Sequence, residues 1–285
     1  MTEKKSLQKK RDLKTSIFSK TSLNMAFMPY FLVQANFPYT QLPEREFVRK
    51  NGNLTLSLYS PAGLPFGTIP RLVIAFIVTE AIRQKTREIY LGESLSDFLN
   101  KLGLACTGGK NGTIQRLHKQ LDSLFSCFIS CSSLLKQDTG NAKFLTNMLI
   151  ADKAMLWWEP QTLYDESGKF RSYVYLSERF YEAISKAPVP VDLDVLLHLK
   201  RSPMAIDIYC WATYKMYNCK SRTFISWEDL SMQFGSNFKE LRMFKFKFLK
   251  HLAEVIKLYP SFKYDSSDPK GLVVFPSPTS VTSAC

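Results

Sequence analysis

The chain has 285 residues, with 38 Lys or Arg against 25 Asp or Glu, which gives a formal net charge of +13. Its length allows one large domain or two of ordinary size. Because 45% of the residues are hydrophobic and 13% are aromatic, the chain can build packed cores, which excludes a wholly disordered protein. The positive excess indicates a polyanionic partner, either DNA, RNA or an anionic membrane surface.

No segment of the sequence is apolar enough to span a membrane. The longest apolar run, over 72–78, has seven residues, whereas a membrane-spanning helix needs about 20. A secretory signal is not expected, because no apolar block follows the basic first 20 residues. The six cysteines are scattered and several lie in apolar stretches, so we expect reduced, buried thiols in a cytoplasmic protein rather than a disulfide framework.

Residues 1–45 are expected to form a basic, partly disordered N-terminal tail, because Lys and Arg dominate its front and three prolines interrupt the remainder. A strand is predicted over 53–59, where apolar and polar residues alternate. Beyond the tail we expect a first domain over 46–187, which includes an extended sheet, and a second over 188–285. The stiff Pro188-Val189-Pro190 segment separates the two domains.

The first domain contains predicted elements in the order of a winged helix, in which the third helix enters a DNA groove and a hairpin flanks it. Pro70 suits the first turn of its first helix. Ser94 is a suitable N-cap for the second helix, which Gly103 stops. The predicted elements are a helix over 70–87, a strand over 88–92, helices over 95–102 and 113–125, and strands over 127–131 and 144–158.

A similar order returns near the C-terminus, where Ser202-Pro203 opens a helix. The predicted elements there are a helix over 204–217, a strand over 224–227, helices over 227–234 and 239–256, and a hairpin of 259–264 with 272–275. Between the two units, a strand over 173–176 precedes a helix that Ser177 caps. The units share no obvious residue identity, so the repetition is architectural. The pattern predicts an α+β protein with two tandem winged-helix domains.

The helix over 113–125 has a polar face opposite its apolar stripe. Arg pairs with guanine edges, Gln pairs with adenine, and Lys reaches phosphate or guanine, so such a face can read DNA. The glycine-rich lead-in to the helix leaves backbone N–H groups that would suit a phosphate. A solvated amphipathic helix would show the same pattern, and both interpretations stay open. The candidate DNA contacts are Lys110, Thr113, Gln115, Arg116, Lys119 and Gln120.

The helix over 239–256 is a stronger candidate for a functional surface. The segment 239–257 contains six basic residues and only two acidic ones. Its predicted core stripe is Leu241, Phe244, Phe248, Leu252 and Val255, and Lys245 would have to snorkel from its edge. The predicted outer face also holds Met243 and Phe246, which suit contact with sugars, bases or a protein partner. The candidate DNA contacts are Lys239, Arg242, Lys247 and Lys250.

The sequence contains no recognisable enzyme signature. Its three histidines are isolated, and Cys127 and Cys131 lack a second ligand pair for zinc. The Gly108-Gly109-Lys110 run lacks the spacing of a Walker loop. We therefore expect no catalytic residues, no metal site and no cofactor.

Short motifs in the first unit resemble those of one family. They include Ile69-Pro70-Arg71-Leu72, Leu91-Gly92-Glu93-Ser94-Leu95, Thr107-Gly108-Gly109, Gly112-Thr113-Ile114 and Val174-Tyr175-Leu176-Ser177. In this order they look like the plasmid-encoded RepA replication initiator family, with coverage from about 65 to 275. The second unit resembles the family mainly in layout. The resemblance implies tandem winged helices, binding to repeated origin sites, local melting, recruitment of host replication proteins and often repression of the protein's own gene.

The leading hypothesis is a plasmid replication initiator that binds repeated double-stranded origin DNA and recruits a host initiator and helicase. A transcriptional repressor without initiator activity would use the same surfaces and stays open. A nicking or priming enzyme is disfavoured by the missing metal-ligand pairs. The sequence also leaves open a homodimer through exposed apolar residues in the first unit's strands, and it indicates no membrane partner.

Overall fold

The computed structural model describes residues 24–137, 140–156, 172–235 and 238–281. These ranges contain nine helices and twelve strands, so the predicted α+β class is confirmed. The helices are α1 (Tyr30–Gln34), α2 (Thr68–Gln84), α3 (Leu95–Lys101), α4 (Thr113–Phe125), α5 (Glu178–Lys186), α6 (Leu193–His198), α7 (Pro203–Asn218), α8 (Trp227–Phe234) and α9 (Leu241–Leu258). The strands are β1 (Met25–Pro29), β2 (Glu46–Asn51), β3 (Leu54–Tyr59), β4 (Glu88–Tyr90), β5 (Phe128–Gln137), β6 (Gly140–Leu149), β7 (Ala151–Met155), β8 (Tyr173–Leu176), β9 (Pro188–Asp192), β10 (Thr223–Ser226), β11 (Lys263–Asp265) and β12 (Gly271–Phe275).

The strands pair in four antiparallel sheets, ordered β1-β9, β2-β3-β5-β6, β4-β8-β7 and β10-β12-β11. In the first unit β4 pairs with β8, with Ile89 opposite Val174, and not with the β5–β6 hairpin. The strand predicted over 144–158 is two strands, β6 and β7, and residues 157 and 158 lie outside the described ranges. In the second unit β12 lies between β10 and β11.

Serine N-caps begin four of the helices. The side-chain oxygens of Ser94, Ser177, Ser202 and Ser226 each accept a hydrogen bond from the backbone N–H three residues ahead, at 3.0–3.2 Å. Each bond satisfies one of the amide donors that a helix leaves unpaired in its first turn. Three of these caps are predicted from the sequence, because a cap depends only on residues within one turn.

Residues 24–45, the second half of the predicted, partly disordered tail, contain strand β1 and helix α1. Strand β1 pairs with β9, placing Met25 opposite Asp192, and helix α1 is buried through Phe31, Leu32 and Val33. This segment packs against α2, α5 and α7, so its apolar residues complete a core that the rest of the chain leaves open. Residues 1–23 of the predicted tail lie outside the described ranges.

The buried apolar side chains form one cluster that runs through both units. In the second unit its centre is aromatic: Trp211 contacts Phe234, Phe248 and Phe262 edge-on, with ring centroids 5.9–6.2 Å apart. Such edge-to-face pairs are favoured by the ring quadrupoles. The β1–β9 sheet joins residues on either side of the predicted boundary at 187, and the division into two domains stays a prediction.

Candidate nucleic-acid interface

Helix α4 packs against α2 through one apolar side. Leu117, Leu121 and Leu124 are fully buried, while Ile114 and Phe125 pack at the edge of the core. This is the stripe expected from helical periodicity. It fixes which face of α4 is turned outward.

The outward face of α4 presents Gln115, Arg116 and Lys119, and all three side chains are exposed. The Nζ of Lys119 donates a hydrogen bond to Oε1 of Gln41 at 3.2 Å. Gln41 lies in the segment that was expected to be a tail, so this segment reaches the candidate interface. The three predicted contacts are therefore brought together on one accessible stripe.

Gln120 is buried, and its predicted role as a DNA contact is contradicted. Only 4% of the residue is exposed, and its Oε1 accepts a hydrogen bond from the backbone N–H of Phe66 at 2.8 Å. Nearby, the Oγ of Ser60 donates to the carbonyl of Ser123 at 3.2 Å. The connection over 60–66 thus covers one flank of α4. Helical periodicity cannot reveal this cover, because it comes from a segment more than 50 residues earlier in the chain.

The N-terminus of α4 is closed by its own lead-in. The backbone N–H of Thr113 donates to Oγ1 of Thr107 at 2.9 Å, and that of Ile114 donates to the Thr107 carbonyl at 3.2 Å. The expected phosphate cradle is therefore largely occupied by protein oxygens. Thr113 is half-buried, with its hydroxyl 3.0 Å from that of Thr107, whereas Lys110 is exposed.

Helix α9 is the corresponding helix of the second unit, and it packs against α7. Arg242 and Lys250 are exposed on its outer face, and Lys247 is half-buried. Lys239 is exposed but precedes the helix, which begins at Leu241. The four predicted cations thus lie on and just before one helix.

Apolar side chains accompany these cations. Phe246 is 61% exposed and Met243 is 48% exposed, as predicted for the outer face. Leu241 is expected in the core stripe but is 39% exposed. It is the first residue of the helix, whereas the packed part of the stripe begins at Phe244, whose ring contacts Phe238. Lys245 lies over the ring of Trp227, with Nζ 4.9 Å from the centroid, so its stem covers the edge of the core.

The candidate cations have no acidic partners among the residues that the structure describes. None of the ion pairs within 4.0 Å involves any of them. A solvated surface that serves only solubility usually interleaves both signs of charge. Without an acidic partner in the described ranges, the cations on both helices produce a positive field that an anionic partner can neutralise. The seven cations are Lys110, Arg116, Lys119, Lys239, Arg242, Lys247 and Lys250.

The described ranges contain no group of three or more His, Cys, Asp or Glu side chains arranged to hold a metal ion. No helix in those ranges is long and apolar enough to cross a membrane. The five cysteines that the structure describes are free, and burial raises the pKa of Cys127 and Cys131 to about 12.

Fold and surface together define a class: an α+β protein with two helix-strand-helix-helix-strand units, each of which exposes a basic helix. The model of the family described as "Plasmid encoded RepA protein" matches residues 64–229. This is more than half of the chain, and the chain belongs to that family. The resemblance seen in the sequence is confirmed, and membership supports a role in the initiation of plasmid replication. No curated protein matches the chain.

Two solved structures share the fold. A crystal structure of selenomethionine derivatives of domain 2 and domain 3 of RctB superposes with a TM-score of 0.57 at 11% identity, covering 89% of this chain and 99% of that one. A crystal structure of RctB domains 2–3 gives 0.53 at 12% identity, covering 86% and 96%. At these identities the similarity shows the fold alone. It extends across both units and beyond the residues that the family model matches.

Proposed function

We propose that the chain initiates plasmid replication by binding repeated origin DNA sequence-specifically and without catalysis. In this proposal each unit is a winged helix that places one helix, α4 or α9, in a major groove. The two contacts fall about one helical turn apart on the same face of the duplex. The observation that carries the proposal is a pair of cationic helix faces at equivalent positions of the two units, neither of which forms an ion pair with another described residue.

The strand order of the second unit supports the winged-helix assignment. A short strand follows the first helix, and its partner β12 comes from the hairpin that follows α9. This places the hairpin beside the helix that would enter the groove. In the first unit β4 closes a sheet with β8 and β7, so its wing would be formed by these two strands rather than by β5 and β6.

Origin binding would bring a host initiator and helicase to the melted site, as the family resemblance implies. Binding near the promoter would also repress the gene of the protein itself. A homodimer stays a prediction. The surface where a second copy would pack is an exposed row across the β2-β3-β5-β6 sheet, where Tyr59 lies opposite Phe128 and Phe128 opposite Leu149.

Gel-shift titration of Arg116→Ala on footprinted origin DNA tests the DNA interface. Loss of an Arg–base contact is expected to weaken binding by about 1–3 kcal/mol and to relax preference at one position. Lys186→Ala, which removes an exposed cation from α5, is the matched control and should bind like the wild type. Unchanged affinity and preference in Arg116→Ala would remove α4 from the interface.

A plasmid replication assay with the gene supplied in trans tests the initiator role. The wild type is expected to support plasmid replication. Variants with weaker origin binding should support less replication, in proportion to their loss of affinity. Origin binding with promoter repression but without replication would show a repressor instead. Site-specific cleavage or primer synthesis by the purified protein in Mg²⁺ would contradict the non-catalytic assignment.

A further inference from the structure

A buried ion pair joins the two units. Arg71 in α2 donates from Nε to Oδ1 of Asp207 at 2.8 Å and from Nη2 to Oδ2 at 2.7 Å. The side chains are 2% and 6% exposed. A guanidinium and a carboxylate joined by two parallel hydrogen bonds have a defined mutual orientation as well as a defined distance.

All five N–H groups of the Arg71 guanidinium have acceptors. Besides the carboxylate, Nη2 donates to the carbonyl of Phe37 at 2.7 Å, and Nη1 donates to the carbonyls of Pro38 and Gly67. Burial disfavours the charged form, but the charge and hydrogen bonds of Asp207 outweigh it and raise the pKa of Arg71. One side chain thus holds together the N-terminal segment, the start of α2 and helix α7.

The helices that carry Arg71 and Asp207, α2 and α7, each pack against one of the two candidate DNA-binding helices. Helix α2 packs against α4, and helix α7 packs against α9. Arg71 and Asp207 therefore connect α4 to α9 through one helix–helix contact on each side. Strands β1 and β9 and the hydrogen bond from Nε2 of Gln233 to the Val33 carbonyl, 3.2 Å long, hold the same interface.

We propose that the Arg71–Asp207 pair sets the distance and angle between α4 and α9, and thereby the spacing of the two DNA half-sites that the chain accepts. Arg71 and Asp207 are then positioning residues for DNA binding, and the inference rests on the proposed function. One inserted base pair rotates the second half-site by about 34° and moves it about 3.4 Å. A rigid link between the helices cannot follow such a change.

The chemistry of the pair favours this role over a purely stabilising one. A buried ion pair often stabilises a fold no more than apolar residues of similar volume, because both charges must lose their hydration. Apolar contact is also non-directional, whereas a two-bond ion pair fixes an orientation. An ion pair with every donor satisfied is therefore well suited to holding two units at one angle.

Arg49 provides a matched control in the same interface. It lies in β2, which packs against α8, and is 3% exposed. Among the described residues its Nε and Nη2 have no hydrogen-bond acceptor, and its guanidinium lies 4.8 Å from the centroid of Phe47. Burial lowers its pKa. Arg49 is thus a second buried cation near Asp207, but its Nε and Nη2 link it by hydrogen bonds to no other described segment.

The test measures affinity of the full chain for duplexes that carry the two footprinted half-sites with zero to five inserted base pairs, and for a single half-site. For the wild type, the native spacing should bind about 10²- to 10⁴-fold more tightly than a single half-site. Insertions should reduce its affinity to the single-site level. Asp207→Asn should keep the wild-type affinity for a single half-site but lose about tenfold or more in affinity at the native spacing. Its spacing profile, the dependence of affinity on the number of inserted base pairs, should be flatter.

A double variant keeps the test decisive if Asp207→Asn unfolds. Arg71→Met combined with Asp207→Leu replaces the pair by apolar contact and should retain the fold, as circular dichroism would verify. It should flatten the spacing profile, whereas Arg49→Met should leave the profile as sharp as in the wild type. A folded double variant with the wild-type profile would overturn the proposal, as would equal flattening in Arg49→Met.

Failure of the proposed function is distinguishable from failure of this inference. If the wild type protects no DNA in the footprinting experiment, the proposed function fails, and the positioning role is tested without DNA. In a background whose accessible native cysteines are replaced by serine, including the exposed Cys106, spin labels attached after Asp122→Cys and Ala253→Cys report the distance between α4 and α9, because both positions are exposed. The distance distribution should be narrow in the wild type and broader in the double variant. Equal widths would overturn the positioning role.

Discussion

Helices α4 and α9 hold the same place in their units but differ in their surroundings. The connection over 60–66 covers one flank of α4 and buries Gln120, and Thr107 closes its N-terminus. On α9, Met243 and Phe246 remain exposed between cations. The first helix therefore offers a thin polar stripe, and the second offers a broad face that mixes charge with apolar surface.

This difference assigns the two helices different tasks within the proposed function. A thin stripe with one Arg and one Gln can make few contacts, but those contacts discriminate between base edges. A broad cationic face with apolar side chains neutralises phosphates and packs against sugars or thymine methyl groups. We expect α4 to contribute mainly to sequence preference and α9 mainly to affinity.

The largest expected effect separates the two faces of α9. Phe244 is fully buried, with its ring centroid 5.6 Å from that of Phe248, so Phe244→Ala should lower the free energy of unfolding by about 3–5 kcal/mol. Phe246→Ala removes an exposed ring and should change it by less than about 0.5 kcal/mol. Urea denaturation measures both. Similar losses would mean that Phe246 is packed and that the broad face of α9 is smaller than described.

A second pair of variants separates the flank of α4 from its stripe. Gln120→Ala removes the acceptor of the part-buried Phe66 N–H and should lower the free energy of unfolding by about 0.5–1.5 kcal/mol. Its effect on sequence preference should be nil. Gln115→Ala should change the sequence preference and leave the free energy of unfolding unchanged, because the exposed Gln115 supports no packing. Thermal unfolding measures the stability, and selection of binding sites from random DNA measures the sequence preference. A changed sequence preference in Gln120→Ala would mean that this flank of α4 does contact DNA.

The smallest expected effect concerns α9 and phosphates. Lys250→Ala should weaken binding to all sequences alike and lower the slope of log affinity against log salt concentration by about 1. Arg116→Ala, in contrast, should change preference as well. Fluorescence anisotropy at several salt concentrations gives both slopes, with Lys186→Ala as the control for loss of a distant cation. A Lys250→Ala variant with the wild-type slope would remove this residue from the phosphate contacts.

The candidate site could be predicted from the sequence where it depends on one helix alone. Periodicity identified the inner stripe of α4 and placed Arg116, Lys119 and Gln115 outside it, and the structure exposes all three. Gln120 was misplaced because the same periodicity leaves it outside the stripe, whereas a remote segment covers it. The contribution of Gln41 was missed for the same reason, since its segment had the composition of a tail.

Local interactions determined what the sequence alone revealed. N-caps, helical stripes and turns depend on residues within about one turn of each other, so the order of elements and the cationic helices were readable. Tertiary structure decided the rest. The acceptor of the Phe66 N–H lies 54 residues away, and Arg71 meets Asp207 across 136 residues. Such contacts leave no periodic signal, because the chain must fold before the segments that form them become neighbours.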